Sequence, residues 1–139
     1  MKNKVDIHHE GQLVASIIKL KNLDEGLSFF TIDNSYIQFG TWNYKKGKVL
    51  DAHFHNTFDR NSTQTQEAVV ILKGKVECKL YDMNKNLISS HILKKNSVML
   101  QFKFIHEYRI LKNSLVLEFK NGPYFGPEVD RKRVNVYEV

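Results

Sequence analysis

Short apolar runs separated by turn residues recur along most of the chain. Within these runs apolar and polar positions alternate, or apolar residues follow one another, as they do in half-buried and fully buried β-strands. No stretch sustains the helical apolar period of about 3.6 residues. Many short strands with regular turns predict an all-β sandwich or barrel with little or no helix. The predicted strands are residues 27–32, 36–44, 67–72, 75–82, 87–93, 97–102, 106–111 and 114–119.

The two ends of the chain carry weaker patterns. Residues 1–11 are polar, so we expect them to be frayed, with His8 and His9 exposed to solvent. Residues 13–20 are mixed apolar and predict an edge strand through which two copies could pair as a homodimer. Residues 134–139 predict a last strand.

Composition predicts one soluble globular domain, residues 1–139, with 42% hydrophobic and 26% charged residues. No apolar run approaches the ~20 residues that cross a bilayer, and the N-terminus lacks the apolar core of a signal peptide. We therefore expect no membrane association and a cytoplasmic location. The single cysteine, Cys78, alternates with Val76 and Leu80, so it is predicted to be a core residue rather than a nucleophile.

The net charge of +6 does not by itself predict a nucleic-acid partner. The lysines are scattered over turns, such as 45–46 and 94–95, and do not form one face with interleaved aromatic residues. A solvated surface explains most of them, and the expected partner is a small molecule.

Two histidines with one residue between them, His53 and His55, follow a turn at 45–47. On a β-strand they would share a face, where two imidazoles supply half of a typical metal site. Glu67 lies 12 residues after the second histidine and begins an apolar strand, and His106 follows another. The candidate metal ligands are therefore His53, His55, Glu67 and His106, a set that suits Zn, Fe, Mn, Ni or Cu. The alternative is a pair of histidines on a solvated strand face.

Several stretches resemble the cupin family. The series Gly47, His53-Phe54-His55, Glu67 and Gly74 is similar to the first cupin motif, with eleven residues between the second histidine and the glutamate. Of the functional residues of the second motif His106 is retained, and residues 102–105 stand where that motif has a proline-glycine turn. Further stretches resemble small single-domain cupins found with bacterial surface-polysaccharide genes, namely residues 40–44, 65–67 and 118–124.

The resemblance implies a cupin-type jelly-roll barrel with its core at about residues 36–120. It also implies that the three histidines and the glutamate converge on one divalent transition metal. The expected function is a metal-binding cupin that acts on, or binds, a sugar-derived ligand in surface-polysaccharide metabolism. Two alternatives stay open on the sequence. One is a metal-independent sugar-nucleotide isomerase or epimerase with His53 or His55 as base, and the other is a non-catalytic ligand-binding cupin.

Overall fold

The computed structural model describes residues 3–136, and their regular structure is almost entirely β. This confirms the prediction of an all-β chain with little helix. The strands are β1 Lys4–His9, β2 Gln12–Lys19, β3 Gly26–Phe29, β4 Gly40–Asn43, β5 Glu67–Tyr81, β6 Leu87–Lys94, β7 Ser97–Gln101 and β8 Ile105–Lys120, and a four-residue helix, α1, covers Pro127–Asp130.

Six strands form one antiparallel sheet in the order β1-β2-β7-β5-β6, with β8 also paired to β5. The first half of β5 lies between β7 and the end of β8, and its second half lies between β6 and the start of β8. The sheet is strongly curled into a half-barrel. Strands β3 and β4 form a separate two-stranded sheet.

The curl passes through Gly74, where two predicted strands, 67–72 and 75–82, are joined into β5. Gly74 has φ +97°, and a Cβ built there would collide with the Ser114 hydroxyl and lie 2.6 Å from the Asn113 carbonyl oxygen. The register between β5 and β8 shifts three times between Ile71 and Val76. Only glycine combines that φ with so close an approach of the neighbouring strand.

Each face of the large sheet carries its own apolar cluster. The inner cluster includes Val69 and Ile71 from the first half of β5 and Cys78 and Leu80 from the second half. Because residues from both halves pack together there, this is the concave face of the curl. The outer cluster is built on alternate positions of β5 and β7 and is covered by Phe30, Ile37 and Phe102. Cys78 is fully buried, as its alternation predicted.

Three predictions for individual segments are wrong. Residues 1–11 are not frayed throughout, because β1 pairs with β2 and buries Ile7. Residues 13–20 do not form an edge strand, since β2 lies between β1 and β7. Residues 134–136 do not extend as a strand, and residues 137–139 lie outside the described part of the chain.

Candidate functional site

Glu67 and His106 meet on the concave face of the sheet. Glu67 begins β5 opposite Gln101, whereas His106 on β8 is opposite Leu80, near the other end of β5. A straight strand from Glu67 to Leu80 would span about 43 Å. Only residues 102–105 separate Gln101 from His106, so the curl must bring the two ends of β5 together. The Glu67 Oε2 atom lies 3.4 Å from His106 Nε2.

Tyr108 and Gln101 extend this centre inward. The ring of Tyr108 contacts that of His106 edge-on, with centroids 5.8 Å apart. The Tyr108 hydroxyl donates to Gln101 Oε1 at 3.1 Å. Gln101 is 3% exposed, and its Nε2 is a buried donor without a hydrogen-bond partner among the described residues. Buried donors are nearly always paired, so Gln101 Nε2 is available to an ordered water or to a ligand group.

Burial and charge set the protonation of this centre. The side chains of Glu67 and His106 are 16% and 35% exposed, so both are open to a small ligand. Burial raises the pKa of Glu67 above its ordinary value; the charge of His106 opposes that shift, and the neighbouring Glu118 reinforces it. Burial also raises the pKa of Tyr108 well above its ordinary value, so its hydroxyl stays a neutral donor.

A network of charges borders the centre. Lys120 is directly opposite Glu67 in the strand register, and its Nζ lies 3.2 Å from Asp130 Oδ2 on α1 and 3.5 Å from Glu118 Oε1. Asp130 also accepts a hydrogen bond from the Thr65 hydroxyl at 2.8 Å. These residues belong to no motif in the sequence, although alternation along β8 places Glu118 and Lys120 on one face.

The residues before Glu67 are fixed by amide hydrogen bonds. Asn121 accepts from the Gln66 N–H at 2.7 Å and donates to the Ser62 hydroxyl at 2.6 Å. Gln64 Nε2 donates to the Phe102 carbonyl at 3.0 Å. These bonds tie residues 62–66 to the end of β8 and to the β7–β8 turn, and so position Glu67.

His53 and His55 lie apart from this centre. Residues 48–63 are exposed and contain no helix or strand, so the prediction that the two histidines share a strand face is wrong. Their rings are neighbours, with centroids 5.3 Å apart, and His53 Nδ1 lies 2.8 Å from the Asp51 carbonyl oxygen. The segment is rich in polar residues, and its aromatic residues Phe54 and Phe58 are exposed instead of anchoring it to the core.

The four predicted ligands therefore fall into two pairs. In the described part of the chain, no three His, Cys, Asp or Glu side chains come together as a group that could hold a metal ion. The structure brings Glu67 together with His106 and His53 together with His55. One metal site formed by all four stays a prediction.

Two shallow clefts lie beside the centre, of about 260 Å³ and 470 Å³. The smaller is formed by residues 62–65 against 121–130, and the larger lies near residues 32–36 and Phe102. Neither of these two clefts is lined by Glu67 or His106.

Comparison of the chain with protein-family models, with curated proteins and with solved structures found no match. Among the described residues, no helix has the length and apolar character needed to cross a membrane.

Proposed function

We propose that the chain binds a small, sugar-derived ligand at the Glu67–His106 centre and transfers a proton on it without a metal. The observation that carries this proposal is the 3.4 Å contact between Glu67 Oε2 and His106 Nε2, beside the Tyr108 hydroxyl. A partly exposed imidazole oriented by a carboxylate is suited to general acid–base catalysis. The resemblance to small cupins supports the sugar-derived ligand and a setting in surface-polysaccharide metabolism.

The reaction class that fits this centre is isomerisation or epimerisation beside a carbonyl. The His106 imidazole would take the proton from the carbon next to the carbonyl, while Glu67 holds the ring and stabilises its protonated form. The Tyr108 hydroxyl, which donates to Gln101 Oε1 in the free protein, would transfer that hydrogen bond to the enolate oxygen. The same imidazole would return the proton on the same face to the neighbouring carbon, which completes an isomerisation; an epimerisation would take its proton from water on the opposite face.

Proton transfer can be tested by incubating chelator-treated protein with keto-sugar nucleotides in D₂O and following deuterium incorporation by NMR. We expect exchange that His106→Ala lowers by roughly 10²-fold or more and that Glu67→Gln also lowers. His8→Ala removes an exposed histidine on β1 and serves as the control. Exchange that requires added metal, or that His106→Ala leaves unchanged, would contradict the proposal. Saturable binding without exchange would assign the centre to ligand binding alone.

Metal binding by His53, His55, Glu67 and His106 is the second candidate. The close approach of the His53 and His55 rings on an exposed segment favours it. Assembly of the four would require residues 48–63 to move toward the Glu67–His106 pair. Elemental analysis of untagged protein and calorimetric titration with Zn²⁺ test it. A stoichiometry of about one that the His53→Ala/His55→Ala double variant abolishes, and His8→Ala does not, would support a metal centre.

A further inference from the structure

The β3–β4 hairpin presents an apolar face that this chain leaves uncovered. The two strands pair only with each other, and Leu27 lies directly opposite Trp42, on the same face as Phe29. Leu27 is 49% exposed, Trp42 is 69% exposed and Phe29 is 53% exposed. A two-stranded ribbon is marginally stable in water on its own, so burial of this face would stabilise it.

A second uncovered apolar face lies at the end of β8. Leu115, Leu117 and Phe119 alternate along the strand and form what we term the β8 stripe. In the register Phe119 is opposite Ala68, a member of the outer apolar cluster, and Leu117 is opposite Val70, which packs against that cluster. The stripe therefore continues the outer core of the sheet, yet its side chains are 40% to 56% exposed.

The exposed area of the chain is larger than that of a compact monomer. Its accessible surface is 10404 Å² for a mass of 16.3 kDa. A compact monomer of this mass exposes about 7,500 Å², which leaves a surplus of roughly 2,900 Å². A stable protein interface needs only about 800 Å² from each partner. Part of the surplus belongs to residues 48–63, and the hairpin and the stripe contribute to the rest.

We propose that two copies of the chain associate about a two-fold axis, with the β3–β4 hairpin of each copy covering the β8 stripe of the other. In a two-fold dimer, each contact between the hairpin of one copy and the stripe of the other occurs twice. One symmetric interface therefore covers both hairpins and both stripes. Asp24 and Glu25 precede the hairpin, and Lys73 and Lys112 flank the stripe, all four exposed. Glu25 Oε2 lies 3.1 Å from Lys45 Nζ of the same chain, so Asp24 is the acidic residue of the hairpin rim that is left to meet the lysines of the stripe. A second copy is therefore the partner that supplies both required surfaces.

The first test is sedimentation of the full chain across micromolar concentrations. We expect wild-type protein with twice the chain mass, and monomers for Trp42→Asp and for Leu117→Asp. Val5→Asp is the matched control, because Val5 is 59% exposed on the edge strand β1. Trp42 is the only tryptophan, so dilution should also shift the emission of wild-type protein to longer wavelength as the dimer dissociates.

Mixing the two monomeric variants is the sharper test. In a mixed dimer, the unchanged hairpin of the Leu117→Asp copy can cover the unchanged stripe of the Trp42→Asp copy. A mixture of the two variants should therefore form a dimer that neither variant forms alone. Urea midpoints check that both variants are folded; if either is not, Trp42→Gln and Leu117→Gln replace them. Wild-type monomer, loss of the dimer in Val5→Asp, loss in only one of the two variants, or a mixture that stays monomeric would each overturn the proposal.

Discussion

Glu67 Oε2 lies 3.4 Å from His106 Nε2, although Glu67 pairs with Lys120 at one end of β8 and His106 lies near the other end of that strand. Local sequence does not explain this contact, because 39 positions separate the two residues. It follows from the curl of β5 and β8 about Gly74. The centre and the fold therefore depend on the same bend, and several measurable consequences can be derived from it.

Replacing Glu67 by glutamine should change how stability depends on pH. The pKa of Glu67 is raised in the folded protein above the value of 4.5 that applies to the unfolded chain. The folded state therefore binds the Glu67 carboxyl proton more tightly than the unfolded state does. The free energy of unfolding therefore falls as the pH rises from the unfolded-state pKa through the raised folded-state pKa. Glutamine does not titrate, so Glu67→Gln should not show this fall. In urea titrations, the stability of Glu67→Gln relative to wild type should rise from about pH 4 to neutrality. Glu128→Gln, which removes an exposed carboxyl of α1, should show no such rise.

Gly74→Ala should destabilise the fold strongly. Alanine at φ +97° is strained, and its Cβ would also meet the backbone at Asn113 and Ser114. We expect a loss of more than about 2 kcal/mol in the free energy of unfolding. Gly11→Ala is the control for the backbone strain of a positive φ, because Gly11 has φ +74° and nothing lies within 4 Å of its added Cβ. Equal losses in the two variants would show that the close approach at Gly74 is unimportant.

Tyr108→Phe alone should destabilise the protein more than Tyr108→Phe combined with Gln101→Met. The single change removes the hydrogen bond to Gln101 and leaves that buried amide unpaired, at a cost of about 1–3 kcal/mol. Replacing Gln101 by methionine as well removes both partners of this hydrogen bond, so Tyr108→Phe/Gln101→Met should regain most of that stability. The free energies of unfolding of wild type, both single variants and the double variant give the coupling. A double variant as unstable as the sum of the singles would contradict this account.

Cys78 should be almost inert in the folded protein. Burial raises the pKa of its thiol to about 12, with the hydrogen bond to Tyr108 acting in the opposite direction. Because the thiolate is the reactive form, a disulfide reagent at mildly alkaline pH should react at least ~10²-fold more slowly than with protein in urea. As the chain has one cysteine, the measured rate belongs to Cys78 alone. Equal rates in the two conditions would show that the inner cluster opens readily.

The sequence by itself determined most of the strands and the all-β class. Alternation located the strands from β5 to β8, since a buried face imposes a period of two residues whatever the partner strand is. The same rule predicted that Cys78 is buried. It also placed Glu67 at the start of one apolar run and His106 just after another. The predicted cupin jelly roll and the metal are not decided by that rule, and both stay predictions.

Tertiary structure decided which of the candidate side chains meet. His53 and His55 were predicted to share a strand, but residues 48–63 have too few buried apolar anchors to form one. Conversely, Gln101 and Tyr108 carried no motif, and their contact with the Glu67–His106 centre arises only when β5 curls. Periodicity specifies the face on which a side chain lies. The distance between two side chains on one face of a bent sheet depends on pairing and close packing between residues far apart in the chain, and these are properties of the whole fold.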